Sequence, residues 1–149
     1  MAGSKDDKGL GEERQTGFAA ASLGDYEAIY RLVLSAYSYR CALTGEQFAA
    51  EAVLLHPHLA VEAIRPRDLG GPLEINNSLV LEEHAARAFR QGQILIEDDY
   101  RIVVPRPEAL DRAVLLRLNA DGQLLVPAEA LFQPSPAHLA FHRLRVLGG

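Results

Sequence analysis

From residue 25 onward the apolar positions change period several times, and the changes divide the chain into elements. Tyr26, Ile29, Tyr30, Val33, Ala36 and Tyr37 recur at helical spacing, with Asp25 in the N-cap position, so a helix from Asp25 to about Tyr37 is predicted. Arg40 to Gly45 reads as a short strand and turn. A second apolar run begins at Val53, is interrupted by His56-Pro57-His58, and resumes as Leu59 to Arg65, where alternation and the terminating Pro66 predict a strand. A Pro/Gly-rich loop follows, from Pro66 to Pro72.

Asn76-Asn77 is turn chemistry leading into the strand Leu79-Val80-Leu81. Glu82-Glu83 and an alanine-rich stretch to Phe89 then read as a helix closed by Gly92. Its carboxylates come first and Arg87 and Arg90 last, the order the helix dipole favours. Gln93 to Glu97 and Tyr100 to Val104 form a predicted hairpin across Asp98-Asp99, and Leu115 to Leu118 with Gln123 to Val126 a second one across Asp121-Gly122. Ser135 as N-cap and Pro136 at the first helical position open a last helix to about Val146. The mixture is an α+β fold with no internal repeat.

Composition narrows the class. With 149 residues and 48% hydrophobic content, the chain has the size of one globular domain, assigned to residues 23–149 behind a polar, flexible tail over 1–22. The apolar runs fall far short of the roughly 20 residues that span a bilayer, and the charged N-terminus does not read as a secretory signal, so no membrane association and a cytoplasmic location are expected. A single cysteine, Cys41, excludes an intrachain disulfide and a zinc site of Cys-x-x-Cys pairs, and is expected to pack in the core. Of the formal charge of -5, residues 1–28 carry -3, leaving -2 on a body whose cations are all arginine. Arginine's planar fork suits bidentate phosphate contact.

Four segments, in order, resemble the HNH endonucleases of the ββα-metal fold, in particular their zinc-less restriction-type branch. Tyr37-Ser38-Tyr39-Arg40-Cys41-Ala42-Leu43-Thr44-Gly45 is similar to Y-x-x-R-C-A-[IV]-T-G. Val61-Glu62-Ala63-Ile64-Arg65-Pro66 is similar to a strand end that usually reads A-A-H-I-x-P, or a variant with an acid before the histidine. Asn77-Ser78-Leu79-Val80-Leu81 matches N-G-L-x-L, and Ala88-Phe89-Arg90-Gln91-Gly92-Gln93-Ile94 matches x-F-D-x-G-x-I at the expected Asn-to-Phe spacing of twelve. Glu97 to Ile102 resembles the following hairpin, and Leu139-Ala140-Phe141-His142-Arg143 the L-x-x-H-R near the end of such chains. The resemblance implies a single HNH-like ββα-metal domain with flanking helices and short hairpins, and DNA as partner.

The departures fall on the chemistry. HNH hydrolysis uses a histidine as general base, an asparagine that orients it, and one divalent metal held by a helix histidine and often an acid. Here the base position is Ala63, the metal-ligand positions 85 and 86 are Ala85 and Ala86, and the aspartate after the phenylalanine is Arg90. Asn77 and Glu62 remain of the constellation. Losing a general base costs about 10² to 10⁴ in rate, so impaired catalysis with no cofactor is the leading expectation. DNA would be held by Arg65, Arg67, Arg87 and Arg90. In the first alternative the chain is an active endonuclease that binds Mg²⁺ or another divalent metal through Glu62 and the displaced His84, with a loop histidine, His56 or His58. A shift of one residue turns a helical side chain by about 100°, so His84 faces away unless the register slips. In the second, the fold is a protein-interaction or regulatory module with a protein partner. His138 and His142, four apart on one helix, are read as an ordinary helix face.

Overall fold

The computed structural model describes residues 23–51 and 55–148. The segment 1–22, where a flexible tail is expected, and the start of the apolar run at Val53 lie outside the described residues. The described part is a small α+β fold with two antiparallel two-stranded sheets.

Helix α1, Leu23–Ala36, begins two residues before the predicted start, so Asp25 sits inside its first turn and does not cap it. Val33, Leu34 and the following Tyr37 bury against the sheet behind, and the Tyr37 hydroxyl donates to the Ser78 carbonyl at 3.2 Å. Burial raises the Tyr37 pKa well above the usual tyrosine range, so the phenol stays a donor at all working pH values.

Strands β1, Leu59–Ala63, and β2, Ser78–Glu82, pair antiparallel from Leu59↔Glu82 to Ala63↔Ser78. All five residues of β2 are buried, because α1 packs on one side of the pair and α2, Glu83–Arg90, on the other. No loop separates β2 from α2: Glu82 ends the strand and caps the helix, its Oε1 accepting from the Ala85 amide at 3.2 Å. Two strands and the helix thus form a continuous ββα unit. Its helix ends at Gly92 in the left-handed region, as the sequence predicts.

Strands β3, Leu95–Ile96, and β4, Ile102–Val103, make the first predicted hairpin. The second does not form. Leu115 and Leu116 lie instead in helix α3, Arg112–Arg117, and Gln123 bridges back to Arg101. Asp111 decides this, since its Oδ1 accepts from the Ala113 amide at 2.8 Å and the Val114 amide at 3.4 Å, and the helix it caps buries Val114. Helix α4, Pro136–Gly148, opens after Ser135, whose carbonyl accepts from His138 and Leu139. It closes the domain over α2 with Leu139 and His142 buried.

Candidate phosphate-facing site at the end of the hairpin

The loop that joins β1 to β2 is fixed by Asn77, which is 1% exposed. Its Oδ1 accepts from the Arg65 amide at 2.8 Å, and its Nδ2 donates to the carbonyls of Arg65 and Pro72, each at 3.0 Å. One amide side chain therefore satisfies three backbone groups that the loop geometry leaves without ladder partners. At Gly71 a Cβ would stand 1.7 Å from the Arg65 carbonyl oxygen, so this close approach admits no side chain. The Arg65 side chain braces the same loop: its Nε donates to the Leu69 carbonyl at 2.9 Å and its guanidinium lies 4.3 Å from the Phe141 ring centroid. Arg67 lies over the Tyr26 ring and donates to the Tyr26 hydroxyl, tying the loop to α1. Tyr26 is 41% exposed, so it serves as a platform for Arg67 and not as a core residue.

Glu62 and Ala63, adjacent on β1, both line one cleft, and Ala63 also borders the groove beside α1. The Glu62 carboxylate faces α2, where Arg90 Nη1 donates to its Oε1 at 2.7 Å. Burial raises the Glu62 pKa, and the charge and hydrogen bond of Arg90 offset only part of that. Ala85 and Ala86 are packed into the core at 0% and 1% exposure. His84 turns to the other side of the helix start, where its Nδ1 lies 2.6 Å from Glu82 Oε2. There it shares a shallow cleft with Glu46, His58 and Arg117. Although burial raises the Glu82 pKa, the hydrogen bonds from His84 and the Ala85 amide outweigh it and hold the carboxyl below its usual range. Glu62 and His84 accordingly line different clefts and do not converge on one point.

His56 and His58 are loop residues, as expected. The His56 ring is 8% exposed and contacts the Ala49 carbonyl through Nε2, while its Nδ1 accepts from the amides of His58 and Leu59. That pattern assigns the proton to Nε2 and makes His56 a latch for the start of β1. His58 stacks on Phe48 with ring centroids 5.3 Å apart.

Sequence reasoning missed the far wall of the cleft beside Glu62. This cleft, about 350 Å³, is lined by Glu62, Arg67 and Arg90 and also by His142 and Arg145 of α4. His142 stacks on Phe89 with centroids 3.8 Å apart and planes 6° apart, and its Nε2 lies 2.8 Å from the Phe89 carbonyl. Burial lowers its pKa to about 4, assisted by Arg145 and Arg143 against the Phe89 hydrogen bond, so the ring is neutral at pH 7. The signal was present: Arg145 lies three residues after His142, the interval that shares a helix face. Arg87, in contrast, is exposed on α2 and does not line this cleft.

The resemblance to the ββα-metal fold would imply a divalent ion between β1 and the helix, and the residues at that place do not fit one. Glu62 is already paired with a guanidinium, and the neighbouring positions are methyl groups. Among the described residues, no three His, Cys, Asp or Glu side chains come together in a set that could hold a metal.

Fold and site together define a small α+β scaffold whose hairpin-and-helix unit carries arginines at its open end. Among solved structures the chain is similar to a modification-dependent TagI restriction endonuclease, with a TM-score of 0.58 at 24% identity over 80% of this chain. The match covers 37% of the endonuclease chain, so this chain corresponds to little over a third of that protein. No family model matches the chain, and no curated protein matches it. Among the described residues no helix is long and apolar enough to cross a membrane.

Proposed function

We propose that the chain is an HNH-like DNA-binding protein, impaired in hydrolysis, that holds the phosphodiester backbone through arginines. The observation that carries the reading is the replacement at the end of β1 and on α2: methyl groups at Ala63, Ala85 and Ala86, and a Glu62–Arg90 ion pair beside them. A methyl group neither accepts a proton from water nor ligates an ion, so a general-base step has no agent at this place. Arg67 and Arg90 line one cleft, and Arg87 extends the positive surface along α2. The restriction-endonuclease likeness of the fold supports DNA as the polyanion.

The test is duplex retention measured against salt. Replacing Arg87 and Arg90 together by alanine should weaken binding and flatten the log–log salt slope by about 1.8, at about 0.9 per phosphate contact. An unchanged slope rejects the assignment. Plasmid DNA with Mg²⁺ or Mn²⁺ should remain uncut; nicking that disappears in His84→Ala would establish the active-enzyme alternative instead.

A second reading, a protein-interaction module on a nuclease scaffold, is favoured by one feature. An apolar groove of about 340 Å³ runs between α1 and β1, with Leu23, Tyr26 and Leu55 exposed along it. Indifference to DNA at low salt would put this reading first.

A further inference from the structure

The cleft between the end of β1, the last turn of α2 and α4 holds three guanidiniums, Arg67, Arg90 and Arg145, against one carboxylate, Glu62. His142 adds no charge at neutral pH, so the lining has a net charge of +2. Its volume of about 350 Å³ exceeds by roughly tenfold the ~30 Å³ share of one water molecule, which leaves room for a hydrated phosphate group. Two donors in it are uncommitted. Arg90 engages Glu62 through one Nη1 contact, which leaves most of its five N–H groups for another acceptor, and its side chain is 52% exposed. The Arg145 Nε is buried and has no hydrogen-bond partner among the described residues. A buried donor in that condition is destabilising until an acceptor arrives, and an anion is the acceptor that two guanidiniums select.

We propose that this cleft is a metal-free phosphate seat, in which the Arg90 guanidinium, anchored by Glu62, stands as a fixed cation where the scaffold would otherwise place a divalent ion. The inference rests on the DNA-binding reading and adds to it the group that takes the phosphate and the absence of any metal requirement. Arginine suits the role because its charge persists at all accessible pH values and its flat fork meets two phosphate oxygens at once. Glu62 keeps the guanidinium from swinging into solvent and at the same time lowers the attraction of the seat. Its neutral isostere should therefore bind at least as well, and not worse. That outcome separates an anchoring carboxylate from a metal ligand, whose loss would abolish ion-dependent binding.

The experiment uses the full chain with a labelled DNA duplex in EDTA or in Mg²⁺, inorganic phosphate followed through arginine Nε–H resonances, and Mn²⁺ titrated by its electron paramagnetic signal. The expected results are equal duplex affinity in EDTA and Mg²⁺, and a roughly tenfold loss in Arg90→Ala, the value of one charge-assisted contact. Glu62→Gln should bind as well as the parent or roughly threefold tighter. Phosphate in EDTA should shift the Arg90 and Arg145 resonances, and the Arg145 shift should shrink in Arg90→Ala. Arg90→Ala leaves the Glu62 carboxylate, whose side chain is 13% exposed, without its partner, so that variant should melt lower than the parent; Glu62→Gln, which strands no charge, and the phosphate shifts then decide. Duplex binding that needs Mg²⁺, or Mn²⁺ bound by the parent and released by Glu62→Gln, overturns the proposal. Phosphate shifts without duplex binding would uphold the seat and reject the DNA reading, whereas silence from both probes rejects both.

Discussion

Replacing Asn77 by alanine removes the side chain that fixes the loop between the two strands of the ββα unit, and the cost can be worked from its contacts. Three partners lose their bond: the Arg65 amide at 2.8 Å and the carbonyls of Arg65 and Pro72 at 3.0 Å. The site is 1% exposed, so water does not replace the lost bonds without local opening. At ~1 kcal/mol for each stranded group the loss is ~3 kcal/mol, a large part of the ~5–15 kcal/mol stability of an ordinary domain. Thermal unfolding should shift down by about 10 °C.

Asn77→Asp sharpens the test because it keeps the shape. The carboxylate still accepts from the Arg65 amide, but the two donor contacts become oxygen facing oxygen. A buried carboxylate there would have its pKa raised, since burial and the two carbonyls disfavour the anion. The folded variant would then bind a proton that the unfolded chain releases, so its stability should rise as pH falls through the raised folded value toward the ordinary aspartate range. At pH 7 it should be less stable than Asn77→Ala. Denaturant unfolding of both variants at pH 7 and pH 5 decides the matter. An alanine variant within about 0.5 kcal/mol of the parent, the scale of an ordinary surface substitution, or an aspartate variant indifferent to pH, would refute the structural role assigned to this amide.

Two other predictions test the frame around the cleft. The folded pKa of His142 is about 4 against an ordinary 6.5, so the unfolded chain takes up a proton first as pH falls; across that window the parent should lose about 3 kcal/mol that His142→Phe, which keeps the ring stack, does not lose. Equal acid profiles by denaturant unfolding would exclude a buried neutral imidazole. Gly71→Ala would force a Cβ to within 1.7 Å of the Arg65 carbonyl oxygen; the loop must move, and a destabilisation of about 3 kcal/mol or more is expected in the same assay.

Much of the ββα unit was legible because its boundaries are set by local chemistry. Pro66 ends the run after β1, Asn76-Asn77 turns into β2, and Gly92 takes the left-handed conformation that closes α2. These residues act within a few positions of themselves, which is what a sequence displays. Leu115 to Leu118 failed as a strand because so short a leucine-rich run fits either period. The deciding signal was Asp111, in N-cap position ahead of it. The site divides in the same way. Asn77 stood out by type and place, but the partner of Glu62 lies 28 residues on, and the wall formed by His142 and Arg145 comes from the last helix. Such pairings depend on how α2 and α4 dock, which no local pattern encodes.

The same division explains how this scaffold can keep its shape with methyl groups at positions where chemistry would be expected. Asn77 holds the loop through backbone atoms, Glu82 caps α2 through a backbone amide, and His142 binds the Phe89 carbonyl. At Gly92 a Cβ would come within 2.7 Å of the Val146 side chain, so the end of α2 and α4 meet at a point where glycine is required. None of these contacts passes through residue 63, and residues 85 and 86 contribute as buried apolar packing. An imidazole at either helix position would have to enter space now filled by core atoms, at an overpacking cost of about 1–3 kcal/mol. Introducing a histidine at Ala85 or Ala86 alone should therefore lower the melting temperature, while the arginines at the open end remain unaffected.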